Sequence, residues 1–331
     1  MKTTAVVFPE ADRFERTELT LADPGPNDIV VRTLVTAISP GTERWTLRGK
    51  HIGVQFPCVP GYHRIGVVEE CGGAVTLFEP GDIVYGSGGS WSEKIMSMWG
   101  AHVGLSVSVA GGYHLVASTR PSDMELEALA FTILAGVSNR GINFSDICAG
   151  QKLLSIGAGF VGTCAAQLAL LRGAVPVVID KDPDRVAYVR RVLPTVLSLD
   201  DADVEEKLRS IAPGGFDVLQ DTVGHAPTTD AMVQLMRPQG TLLLQAQYFD
   251  KEKCAVDLDQ IKIKELTVKT TCGIREEDWL ETMTNIRTRR LKIAPLITHR
   301  LSAPQELLTG YELLHTGKPH NLGIVFRWDE A

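Results

Sequence analysis

The residues whose types and spacing can do chemistry begin with Gly157-Ala158-Gly159-Phe160-Val161-Gly162, a GxGxxG turn, and with Asp180, 18 positions beyond its last glycine. The turn follows the apolar run 153–156 and opens a helical stretch, 163–172, so its glycines fall at a strand-to-helix junction. There Gly157 permits the tight turn, Gly159 lets the backbone approach a pyrophosphate, and Gly162 lets helix pack closely on strand. The free N–H groups of the helix start, from Phe160 and Val161 onward, point at the anion. Asp180 closes the next apolar run, 175–179, where a carboxylate accepts hydrogen bonds from both ribose hydroxyls of an adenosine. The pattern predicts dinucleotide binding, with NAD favoured. Lys181 and Arg185, just beyond the acid, are able to neutralise a 2′-phosphate and keep NADP open as the lesser alternative. A glycine turn that serves only close packing is the structural alternative, and strand, turn, helix, strand and acid falling in order argue against it.

Two further polar stretches lie near the N-terminus: Ser39-Pro40-Gly41-Thr42-Glu43-Arg44 and Pro57-Cys58-Val59-Pro60-Gly61-Tyr62-His63-Arg64. Both read as loops between short β-like runs, the usual place for chemistry on a β scaffold.

The elements around these residues divide the chain. Residues 1 to about 125 carry β-like runs at 5–8, 29–38, 65–70, 83–85 and 113–116, punctuated by Gly and Pro, which predicts a compact β domain. After a helical stretch from Ser122, strands alternate with helices at 183–192, 202–211 and 228–235. That alternation predicts a doubly wound parallel sheet. Strand ends at its carboxyl edge bring Thr222 and Val223, and Gln245 and Ala246, beside the cofactor. Beyond Gly273 come a helix at 277–289, a segment 293–299, a helix at 304–315 and a strand at 323–328. This tail is too short for a domain and is expected to rejoin the N-terminal one. The division expected is 1–139 with 273–331, and 140–272 as an inserted nucleotide-binding domain, with the cleft between the two.

Composition limits the partners. Of 331 residues, 44% are hydrophobic and 22% charged, enough for sizeable cores. Acidic residues outnumber basic ones 40 to 33 and no basic cluster stands out, which argues against nucleic-acid or anionic-membrane binding. Six scattered cysteines without a C-x-x-C pair, no signal-peptide pattern and no long apolar run lead to the expectation of a cytoplasmic protein.

Several segments together resemble the medium-chain dehydrogenase/reductase superfamily: Pro24 to Val31, Val59 to Gly66, Phe78 to Val84, the glycine turn, Asp180, and Pro295-Leu296-Ile297-Thr298-His299. The resemblance implies an α/β protein with a GroES-like β-rich catalytic domain and a Rossmann domain, a small-molecule substrate, and a homodimer. It also places Thr271 and Cys272 at the nicotinamide carboxamide. Zinc-dependent members have Cys, His and Cys or Glu where this chain aligns Ser39, Tyr62 and Thr132, and their four-cysteine lobe is missing between Cys71 and Cys148. Hydroxyls are poor zinc ligands, so no metal is expected. The Ser39-to-Arg44 stretch with Gly61-Tyr62 is similar to the branch containing the hydroxyethyl-bacteriochlorophyllide dehydrogenases, with His63 where that branch has Glu.

Without a metal, side chains must take and return the alcohol proton. The two stretches that the family turns toward the nicotinamide offer Glu43 and His63 for this role, with Thr42, Tyr62 and Ser39 to donate or relay. The bland alternatives are that Glu43 pairs with Arg44 or Arg64 and that His63 caps a turn. The expected activity is NAD-dependent, zinc-independent hydride transfer between a secondary alcohol and its ketone. A zinc-free C=C reductase of the quinone or enone type and an NAD-binding protein without turnover remain the other two readings.

Overall fold

Six strands hydrogen-bond in parallel in the order Val196–Ser198, Val175–Asp180, Lys152–Ile156, Phe216–Asp221, Met236–Leu244, Thr267–Thr270. In chain order this is 3-2-1-4-5-6, the doubly wound Rossmann arrangement, and the direction of winding reverses between Lys152–Ile156 and Phe216–Asp221. These central strands are buried almost throughout. Their unbroken apolar runs follow from helices covering both faces of the sheet. Leu154, Ile156, Val177, Ile179, Leu219 and Leu242 form one of its cores.

The computed structural model describes residues 1–249, 254–316 and 321–328. The parallel sheet belongs to a compact unit spanning Thr132–Leu296, and the other unit comprises Met1–Phe131 with Ile297–Ala331. The first of these is longer at both ends than the 140–272 read from the strand and helix pattern. Helix Thr132–Ser145 packs on helices Phe160–Leu171 and Glu276–Arg287, and Gly136 leaves only 3.3 Å between a would-be Cβ and Ile274.

The second unit is the GroES-like β domain. Its main sheet runs Ile297–Ala303, Gly323–Trp328, Asp28–Ala37, Arg64–Cys71, Ile83–Gly86, Tyr113–Ala117, with Leu105–Val109 also paired to Asp28–Ala37. The C-terminal strand Gly323–Trp328 lies antiparallel to Asp28–Ala37, so the tail completes the N-terminal sheet. Glu127, almost fully buried, accepts from Arg300 at 2.8 Å and from Arg327 and ties helix Asp123–Leu129 to both C-terminal strands.

One polar stretch is not the loop that its Pro-Gly pair suggests. Helix Pro40–Leu47 starts there, with Ser39 at its N-cap and Pro40 in the first turn, where proline's missing N–H costs nothing. Among the described residues no helix is long and apolar enough to cross a membrane.

Candidate active site

In the parallel-sheet unit the glycine turn is built by steric necessity at two positions and left open at the third. Gly157 has φ +102°, and a Cβ there would lie 2.6 Å from Val223 and 2.8 Å from Thr222. At Gly162 a Cβ would lie 2.0 Å from the carbonyl oxygen of Gly157, so helix and turn touch through bare backbone. A Cβ at Gly159 would meet no protein atom within 4 Å, and its φ of −72° suits any residue. The fold therefore makes no demand for glycine at 159. A cofactor lying against that backbone would make one, and helix Phe160–Leu171 begins there without any side-chain cap on its N–H groups. Phe160 itself is buried, leaving its backbone N–H as the group that faces the turn, while Val161 is half-buried.

Asp180 ends its strand almost fully buried. One oxygen accepts from the N–H of Asp182 at 2.9 Å, and the other from Ala158 N–H at 2.8 Å and from Arg185 at 3.4 Å. The acid is thus fixed to the glycine turn. Arg185 is shared with Asp182 at 4.0 Å, and Lys181 is exposed.

The other strand ends differ in what they leave available. Thr222 donates its hydroxyl to Ile156 O at 2.7 Å, and Val223 is 54% exposed beside the turn. Asp221 beneath them is fully buried and accepts from the N–H groups of Val223 and Gly224, from Thr229 and from Tyr248. Gln245 spends its amide inside the protein: it donates to Val137 O and to Thr271 Oγ1 and accepts from Gln220. Its side chain fills the space beside Gly141, and its N–H and that of the half-buried Ala246 both donate to Asp221 O at 3.1 Å, so of these two backbone units the carbonyls are left for a ligand. Cys272 is exposed and its carbonyl accepts from Arg140.

In the β unit, Glu43 is not a solvent-reaching base. It is fully buried, and three donors occupy its carboxylate: Ser39 N–H at 2.8 Å, the Tyr311 hydroxyl at 2.6 Å and His102 Nε2 at 3.2 Å. Because a carboxylate only accepts, His102 donates from Nε2, and its Nδ1 lies 2.9 Å from the Thr36 hydroxyl, which accepts from Trp328 at 3.1 Å. Trp328, Thr36, His102 and Glu43 thus form one continuous buried hydrogen-bonded chain. Neither Arg44 nor Arg64 is among these partners: Arg44 donates to Leu314 O, and Arg64 lies fully buried elsewhere.

Next to Glu43 on the same helix, Thr42 presents its hydroxyl 2.7 Å from that of Tyr62, and both residues are only half-buried. The Tyr62 ring has the Trp99 ring edge-on at 4.8 Å. His63 stacks on Tyr85 at 5.1 Å, with Nδ1 sealed from solvent although the residue as a whole is half-buried. Burial, reinforced by the charges of Arg64 and His114, pushes its pKa down to about 3. The imidazole expected to titrate near neutrality is thus held uncharged, and it has no proton to give at pH 7. Thr36 and Tyr311, which with His102 frame Glu43, carry no local signal in the sequence, since they converge from distant segments.

The three positions aligned with a zinc set do not fit a metal. Ser39 is buried at a helix start, Tyr62 is engaged with Thr42, and Thr132 is fully buried at the start of its helix. Hydroxyls of this kind do not replace Cys, His and carboxylate around zinc. Among the described residues no group of three or more His, Cys, Asp or Glu is arranged to hold a metal ion.

Residues 25–122 match the family model of the alcohol dehydrogenase GroES-like domain, and residues 161–288 that of the zinc-binding dehydrogenases. L-threonine 3-dehydrogenase of Sinorhizobium fredii is 27% identical, over 92% of this chain and 92% of that one. The 2-desacetyl-2-hydroxyethyl bacteriochlorophyllide A dehydrogenase of Cereibacter sphaeroides is also 27% identical, over 92% of each. Among solved structures, a chain assigned as a zinc-binding dehydrogenase from Sinorhizobium meliloti, bound to NADP, has a TM-score of 0.81 at 18% identity and covers 99% of both chains.

Proposed function

The chain belongs to the medium-chain dehydrogenase/reductase superfamily and is an oxidoreductase of that type, and we propose that it interconverts a secondary alcohol and its ketone with NAD and without zinc. The observation that carries this reading is the 2.7 Å contact between the Thr42 and Tyr62 hydroxyls, standing where the zinc-dependent branch has a metal ligand. Similarity to the bacteriochlorophyllide dehydrogenase supports placing the chain in the branch that contains that enzyme.

The dinucleotide would lie along Gly157, Gly159 and Gly162, with its pyrophosphate at the N–H groups of Phe160 and Val161, its ribose at Asp180, and Thr222, Val223, Ala246, Thr271 and Cys272 along the strand ends. Bound there, the nicotinamide accepts or supplies a hydride. The acid argues for NAD. Across residues 180 to 185 three aspartates face one lysine and one arginine, so a 2′-phosphate meets a net negative surface.

The proton belongs to the hydroxyl pair. A phenol is protonated at neutral pH, so in the reducing direction Tyr62 Oη–H donates to the ketone oxygen as negative charge develops on it. Thr42, half-buried, holds the Tyr62 oxygen and relays a proton from solvent back to it, so neither hydroxyl is left charged after turnover. Glu43, locked beneath the helix, sets the position of Thr42 and takes no proton itself. Neutral His63 lines the far side of Tyr62 as a packing partner, its ring 6.4 Å away. A homodimer through the sheet edge completes the proposal, supported by Val268 lying 45% exposed on the edge strand.

The test is a panel of secondary alcohols with NAD and with NADP, and of ketones and enones with the reduced cofactors, run beside elemental zinc analysis. Alcohol or ketone turnover with a preference for NAD, in protein free of zinc, supports the reading. Turnover of enones alone moves it to C=C reduction, and cofactor binding without any turnover replaces it with a binding role.

A further inference from the structure

Trp99 has φ +65°, a left-handed backbone conformation that bulky residues rarely adopt, and Gly100 beside it has φ +63°. Such a residue persists only where its surroundings over-determine the turn. Here they do. The Trp99 carbonyl accepts from Gly88 N–H at 2.6 Å, and Met98 N–H donates to Val59 O at 2.9 Å. The Gly100 carbonyl accepts from the guanidinium of Arg64, which also donates to Gly88 O at 2.7 Å, to Ser106 Oγ at 2.5 Å and to the Tyr113 hydroxyl.

Arg64 is fully buried, and among the described residues no carboxylate pairs with it. A buried cation held only by neutral oxygens is an unfavourable way to build a core. What it accomplishes is the shape of the turn from Gly88 to Gly100, and that shape sets the Trp99 ring edge-on to Tyr62 at 4.8 Å and 79°, and to His51 at 5.2 Å. Edge-on packing is a favoured aromatic geometry and fixes ring orientation. From the other side, Gly61 has φ +105°, and a Cβ there would lie 2.6 Å from His102, so the backbone leading into Tyr62 is held as well.

We propose that Trp99 is a positioning residue that acts through Tyr62: its ring holds the phenol so that the Tyr62 hydroxyl stays on Thr42, and Arg64 maintains the strained turn that presents it. This rests on the reading of Tyr62 as the proton carrier.

Trp99→Gly tests it, because glycine accepts the left-handed backbone while removing the ring, and Trp99→Phe keeps an aromatic edge in place. Trp99→Asn, which also tolerates that backbone, replaces the glycine variant if it does not fold. Two readouts are taken beside Tyr62→Phe: kcat for the secondary alcohol turned over fastest in the panel, and the ultraviolet difference titration of Tyr62, isolated by subtracting Tyr62→Phe. The expectation is a loss on the order of 100-fold in kcat for Trp99→Gly, with NAD affinity unchanged and the Tyr62 titration shifted, and near-wild-type behaviour for Trp99→Phe. If Tyr62→Phe is impaired but Trp99→Gly keeps wild-type kcat and an unshifted titration, the positioning role is wrong. A kcat loss with an unshifted titration also overturns it, since Trp99 then acts on the substrate directly. If Tyr62→Phe itself turns over like wild type, the proton-carrier reading fails first and this inference falls with it. When no alcohol in the panel is turned over, the titration alone decides.

Discussion

The hydroxyl of Tyr311 donates a 2.6 Å hydrogen bond to the carboxylate of Glu43, 268 positions earlier in the chain. Both side chains are fully buried, and the bond fastens helix Leu307–Thr316 to helix Pro40–Leu47. Through Ser39, His102 and Thr36 the same carboxylate reaches the central strand of the β unit.

Breaking that bond should act on stability more than on chemistry. Tyr311→Phe leaves the buried Glu43 oxygen one donor short, which costs about 1–3 kcal/mol. Chemical denaturation should show a loss of that size, with cofactor affinity preserved. A variant as stable as wild type would mean that water or another group takes over the Tyr311 donor.

His63 should make the fold acid-sensitive. Its folded pKa is about 3 against an ordinary 6.5. Between those values the unfolded chain binds a proton that the folded chain refuses, so stability is complete above pH 6.5 and falls as pH drops toward 3. Urea unfolding at pH 7 and pH 5 should show a smaller difference for His63→Gln than for wild type. Equal differences would show that the imidazole takes up its proton as readily in the folded protein as in the unfolded chain.

The glycine turn separates folding from binding. Gly162→Ala drives a Cβ to 2.0 Å from the Gly157 carbonyl and should cost about 1–3 kcal/mol of stability through overpacking. Gly159→Ala meets nothing and should melt like wild type, yet lose at least about tenfold in NAD affinity, the equivalent of ~1.4 kcal/mol. Calorimetry on the two variants checks both halves. Unchanged NAD affinity in Gly159→Ala would show that no cofactor lies on that backbone.

These contrasts show what the sequence makes legible. The Rossmann sheet is readable because buried parallel strands are apolar along their whole length and because the glycines, the helix and Asp180 follow one another within 31 residues, 150 to 180. The role of Glu43 is not. Two of its three partners are distant, residue 102 and the helix Leu307–Thr316, and no local period announces that they meet. Helix Pro40–Leu47 was hidden by Pro40-Gly41, which reads as a turn until the Glu43 carboxylate is seen to fold back on the N–H of Ser39 at the N-cap position. The depressed basicity of His63 is likewise a property of its surroundings, Tyr85, Arg64 and His114, and not of the residue.

The central claim is that the Thr42 and Tyr62 hydroxyls handle the substrate proton without zinc, and the most direct measurement is kcat of chelator-treated wild type against chelator-treated Tyr62→Phe, with NAD and a secondary alcohol. The account predicts that wild type keeps full activity after chelation and that Tyr62→Phe loses about 100 to 10,000-fold in kcat while binding NAD normally, the range for removing a positioned acid or base. Activity that disappears from wild type on chelation, or a Tyr62→Phe variant that turns over as fast as wild type, would contradict it.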